Sequence, residues 1–284
     1  MHFGPLRSML HNSEPSQVAF DEVMRHLLNV TWWDEPRIVE ECLAYTNAAM
    51  ARWPDATRTL HVTSQEVMFL DHVFQWGPLL RGIDLRRVPS FLPTFTAALE
   101  QGDLFSLRYI ALDIAEIDHE TFELIGKHVD ALEGFAITCG TFNADRTYYE
   151  FEPEFFIDEL LPAASELKWL IVREQSSFGD IFDTSSVYAS LRYLEAPLLE
   201  RDARFLDERI LPNLQTLCIS PEFSDSSDIL TLIEEAPFET LTLVGVEGFH
   251  SWSRRRIEEA ALARGWNIDE SARRFSHVWH LPPN

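Results

Sequence analysis

Eight short apolar stretches of one design recur along these 284 residues, and their spacing restricts the fold more than any other feature. Written L-x-x-L-x-L, they are TRTLHV at 57, LRGIDL at 80, LRYIAL at 107, LEGFAI at 132, LKWLIV at 167, LRYLEA at 191, LQTLCI at 214 and FETLTL at 238. The start-to-start intervals are 23, 27, 25, 35, 24, 23 and 24 residues. Apolar residues at positions one, four and six of a six-residue stretch suit a short strand buried on one side. An interval of about two dozen residues leaves room for a helix before the next strand.

Several intervening segments carry helical spacing. DHETFELIGKHVDAL places Phe122, Ile125 and Val129 on one face, and SDSSDILTLIEEAPF does the same with Ile229, Leu232 and Ile233. The Ser and Asp residues opening the second segment can cap its first turn. EPEFFIDELLPAASEL offers Phe156, Leu160 and Leu161. A strand and a helix of this size cannot bury their apolar sides alone, so successive units have to stack. These units resemble leucine-rich repeats, as an irregular, bacterial-type short-repeat member. The family's usual Asn or Cys at the ninth repeat position is replaced here by Gln65, Val88, Ala115, Gly140, Gln175, Leu199, Glu222 and Val246.

The resemblance implies an α/β, leucine-rich-repeat-like solenoid of about eight strand–helix units. Parallel strands would line its concave face and helices its convex face. Residues 1–56 read as an N-terminal helical cap, with helices in SQVAFDEVMRHLL and RIVEECLAYTNAAM. Residues 57–250 read as the solenoid, and 251–284 as a capping helix and tail, together forming one continuous domain. Gly265 is placed to stop the last helix, with a short strand after it.

Alternation along a strand sends positions three, five and seven away from the leucine core. The hollow side then presents Tyr109, Ala111 and Asp113; Gly134, Ala136 and Thr138; Trp169, Ile171 and Arg173; and Tyr193, Glu195 and Pro197. Trp169 and Tyr193 fall on neighbouring strands about 4.8 Å apart, with Tyr109 roughly 10 Å away across the strand that carries the small Gly134 and Ala136. The long interval after the fourth unit contains NADRTYYEFEPE, which puts Tyr148, Tyr149 and Phe151 in a 140–153 loop at the rim. Aromatic residues on an exposed face favour protein recognition, because they bring large rigid contact area.

Charge narrows the partner. The chain carries 46 acidic and 23 basic residues, a formal net charge of −23. Nucleic acids and anionic membranes are poor matches, and a basic protein is the expected partner. Three scattered cysteines and the absence of a long apolar run in MHFGPLRSML fit a cytoplasmic protein. None of the phosphate-binding or hydrolase motifs occurs, His277 and His280 lack a third ligand, and no cofactor, metal or catalysis is expected. The run Arg254, Arg255, Arg256 reads as the solvated start of a helix. The functional expectation is a non-catalytic scaffold, in its sharpest form an inhibitor or immunity-like protein. An adaptor docking through its N-terminal helices and an enzyme with a dispersed site are the alternatives.

Overall fold

The computed structural model describes residues 44, 48, 51, 59–61, 82–85, 91–113, 117, 119–129, 132–138, 165–173, 187–196, 209–219 and 225–269. The chain gathers into two compact units, 1–130 and 131–284. This division falls between the third and fourth repeats. Of the expected N-terminal helices, Ala44, Ala48 and Ala51 are described and helical.

The first unit contains β1 (Thr59–His61), β2 (Gly82–Asp84) and β3 (Tyr109–Asp113), paired in parallel in chain order. Helix α1 (Leu92–Glu100) joins β2 to β3, and α2 (His119–His128) follows β3. Phe122, Ile125 and Val129 are buried as their spacing requires. Helix α1 was not among the segments singled out from sequence, although Phe91, Phe95 and Leu99 recur at steps of four and are all buried. Phe91 and Phe95 meet edge to face at 6.1 Å. At the end of α1, the Gly102 N–H donates to the Leu99 carbonyl and the Asp103 N–H to the Ala98 carbonyl. Gly102 takes the left-handed conformation this stop requires, with φ 74°.

Among its described residues the second unit contains six parallel strands, again neighbouring in chain order. They are β4 (Gly134–Thr138), β5 (Trp169–Arg173), β6 (Tyr193–Glu195), β7 (Thr216–Cys218), β8 (Thr242–Val244) and β9 (Asn267–Asp269). Helix α3 (Ser226–Glu235) lies between β7 and β8. A 3-10 turn (Val246–Gly248) and α4 (Ser251–Ala263) lie between β8 and β9. Parallel strands in sequence order with helical crossovers make an α/β arrangement compatible with a solenoid.

Pairing tests the repeat register directly. Within the first unit, third positions align as Thr59, Gly82 and Tyr109; within the second, as Gly134, Trp169, Tyr193 and Thr216. The eighth repeat is different: Thr216 pairs with Thr242, not with Thr240. The repeat therefore starts at Thr240, two residues later than FETLTL suggests. Phe238, Leu241 and Leu243 mimic the one-four-six pattern, but Leu241 occupies the second position and is buried. The ninth repeat follows the same rule, with Gly265 first and a buried Trp266 second. In repeats four to seven that second position holds Glu133, Lys168, Arg192 and Gln215, none of them buried. The short strand expected after Gly265 is β9, which pairs with β8 over all three of its residues.

One hydrogen-bond unit repeats through β4 to β7. The Glu133 carbonyl accepts from the N–H groups of Lys168 at 2.8 Å and Trp169 at 3.1 Å. Lys168 does the same for Arg192 and Tyr193, and Arg192 for Gln215 and Thr216. The first-position residues Leu107, Leu191 and Leu214 donate N–H to the carbonyls of Leu104, Tyr188 and Leu211, three residues back. Leu104 and Leu211 are buried, so the observed repeat is longer by one apolar site than the six-residue pattern.

Helix α3 begins at Asp225, whose carboxylate accepts from the Ser227 N–H at 2.9 Å and from the Ser227 hydroxyl at 3.0 Å. Those hydrogen bonds hold the Asp225 carboxyl below its ordinary pKa. A lowered folded-state value means that its stabilisation is present above the unfolded carboxylate value, near ~4. It is lost as pH falls through the folded value. Asp225→Asn keeps a capping oxygen but cannot titrate, so the stability gap between wild type and variant should shrink from pH 7 to pH 3. Urea unfolding at the two pH values measures this directly.

Candidate functional site

Trp169 opens β5 and Tyr193 opens β6, so parallel pairing sets them side by side. Their rings stack with centroids 5.9 Å apart and planes 23° apart, within the favourable range for offset aromatic pairs. The core beneath them is Leu167, Leu170 and Val172 on one repeat, and Leu191, Leu194 and Ala196 on the next, all buried. Trp169 thus stands on the opposite side of the strand from its leucines, half-buried rather than sealed in.

The same row continues as Thr216, Thr242 and Asn267. Thr216 and Thr242 are half-buried and Asn267 is exposed. The fifth-position row reads Ile171, Glu195, Cys218, Val244 and Asp269. Here Ile171 and Asp269 are half-buried, whereas Glu195, Cys218 and Val244 are closed to solvent. This face is therefore accessible along the third-position row, whereas the fifth-position row is shut from β6 to β8. Glu195 was expected to project into the open; it keeps its predicted side but is only 5% exposed. Cys218 and Val244 continue its row, and Tyr193 packs against both.

The Tyr193 hydroxyl donates to Glu195 Oε2 at 3.2 Å. Burial pushes the Tyr193 phenol pKa upward, and the Glu195 carboxylate and Cys218 push it further. The phenol therefore stays protonated and remains a donor to Glu195, which fixes the second ring of the stack. Around the stack the second-position residues are polar. Lys168 Nζ meets Glu133 Oε2 at 2.9 Å, and Arg192 is exposed.

Tyr109 and Asp113 begin and end β3 in the first unit, and Tyr109 is half-buried. Arg173 ends β5, paired with Thr138. Tyr148, Tyr149 and Phe151, with the whole 140–153 loop and Pro197, lie outside the described residues.

Neither a family model nor a curated protein matches this chain. Among the described residues, no group of three or more His, Cys, Asp or Glu is arranged to hold a metal ion. Among them, too, no helix is long and apolar enough to cross a membrane.

One inter-repeat contact escaped the sequence reading. Asn213, just ahead of the seventh repeat, donates through Nδ2 to the Ala189 carbonyl at 2.7 Å. It joins neighbouring repeats from a site just before the strand, away from the ninth position.

Proposed function

We propose that this chain is a non-catalytic, leucine-rich-repeat-like recognition scaffold that binds a basic protein through the face bearing Trp169 and Tyr193. The observation carrying this reading is the Trp169–Tyr193 stack, fixed by Glu195 and left half-open on the side of the sheet away from the leucine core. Rigid aromatic pairs are typical anchors at protein interfaces, because they contribute contact area while little side-chain freedom remains to be lost. The net charge of −23 supplies the long-range part, drawing a cationic surface in and repelling acidic ones. Masking a cationic enzyme or toxin is the sharpest form of this role.

Affinity capture with the wild-type chain and Trp169→Ala, at stepped salt, tests the reading. Loss of an interface anchor of this kind costs about 2 kcal/mol, or roughly thirtyfold in affinity. Capture of a basic protein should weaken by that factor in the variant and fall further as salt rises, with the variant's unfolding midpoint little changed. A partner held equally well by the variant, or indifferent to ionic strength, would remove the proposal.

A further inference from the structure

The outer side of α4 carries a second feature, independent of the aromatic stack. Trp252 is 68% exposed, the most open of the large apolar side chains described, while Ile257 and Ala261 on the other side of the helix are buried. The three consecutive arginines that follow are not equivalent. Arg254 pairs with Glu258 at 2.6 Å and Arg255 with Glu259 at 2.8 Å, each one helical turn on. One turn on from Arg256 is Ala260, and one turn back is Trp252. The Arg256 guanidinium lies over the Trp252 ring, 4.8 Å from its centroid. Among the described residues no carboxylate lies within ion-pair distance of Arg256.

Stacking on an aromatic ring uses the flat face of a guanidinium and leaves its N–H groups free at the edge. A charge held in this way has already lost much of its rotational freedom, so less is lost when it forms a forked bond to a carboxylate. We infer that Trp252 and Arg256 form a docking point for an acidic peptide segment of another protein, with a carboxylate on Arg256 and an apolar side chain beside the indole. Charge complementarity selects this occupant: the two neighbouring arginines are internally neutralised, and the remaining one presents an unneutralised cation beside exposed apolar surface. The net charge of −23 opposes an acidic segment at long range. At physiological ionic strength that repulsion is screened beyond about 8 Å, whereas the direct contact at Arg256 is not.

The test uses fluorescence anisotropy at physiological salt with a labelled octapeptide of alternating acidic residues and leucines, capped at both ends. An uncapped version separates a terminal carboxylate from side-chain ones, and a version with Gln and Asn in place of the acids removes the charge. The acidic peptides should bind and the amide version should not. Arg256→Ala and Trp252→Ala should each weaken binding at least tenfold. Arg255→Ala should change it less than twofold, because Glu259 already occupies that arginine. Equal damage from Arg255→Ala, or equal binding of the amide peptide, would overturn the inference. Self-association of the free chain that Arg256→Ala abolishes would overturn it in favour of a second copy as occupant.

Discussion

Gly245→Ala should destabilise the second unit by at least ~3 kcal/mol, the largest loss expected from any single methyl group in the described fold. Two causes add. Gly245 has φ 88°, in the left-handed region where a side chain costs about 1–2 kcal/mol. An ideal Cβ there would also lie 2.0 Å from the Ile219 carbonyl oxygen, a backbone atom that cannot swing aside. The close approach arises because the chain turns at once from β8 into the 3-10 turn while Ile219 is still bonded to β8 through Val244. Gly265 provides the control. Its φ is 86°, yet the nearest atom to an added Cβ is 3.8 Å away, so Gly265→Ala should show the backbone cost alone. Urea midpoints compared at constant m separate the two contributions. Similar losses for both variants would mean that the Ile219 contact relaxes without cost.

Trp266→Ala is expected to cost about 3–5 kcal/mol, the usual range for removing a fully buried large aromatic side chain. Trp266 is the largest fully buried side chain described, at 1% exposure. Its Nε1 donates to the Phe238 carbonyl at 3.0 Å, which fastens the ninth repeat to the lead-in of the eighth. The backbone around it is also constrained: the Trp266 N–H closes the end of α4 on the Ala261 carbonyl, and the Gly265 N–H closes on Leu262. Beside it, Arg264 Nη1 donates to the Ile233 carbonyl at 2.9 Å, and the guanidinium also reaches the carbonyls of Glu234 and Ala236. That cation caps the end of α3, where carbonyls are otherwise left without helical donors. Trp266→Phe keeps much of the packing but orphans the Phe238 carbonyl, so it should cost about 2 kcal/mol. If Phe proves as damaging as Ala, the hydrogen bond outweighs the packing.

The strands were legible because their apolar pattern is local: first, fourth and sixth positions need no knowledge of the neighbours. Helices α2, α3 and α4 were legible for the same reason, through one-turn spacing and the stop at Gly265. The register of the last two repeats was not. Phe238 and Leu241 satisfy the pattern in the wrong phase, and only pairing with Thr216 shows that Leu241 has taken over the core duty of the first position. Glu195 was assigned to the correct side, but its enclosure depends on residues from other strands, which alternation along one strand cannot report. The Trp252–Arg256 pair was visible as an arginine run. Its distinction lay one turn away on either side, in the exchange of a glutamate for Ala260 and the presence of an indole at Trp252.

The doubled N–H bonds at Glu133, Lys168 and Arg192 carry a consequence for how such a protein changes. Gly134 and Trp169 are separated by 35 positions and Trp169 and Tyr193 by 24, yet both pairs align identically. Alignment is dictated at the entry to each strand, by the turn before it, and is indifferent to how much chain intervenes. Crossover segments can therefore be lengthened, trimmed or grafted as modules while the row from Trp169 to Asn267 keeps its order. The surface proposed to meet a partner and the crossover segments are free to diversify separately.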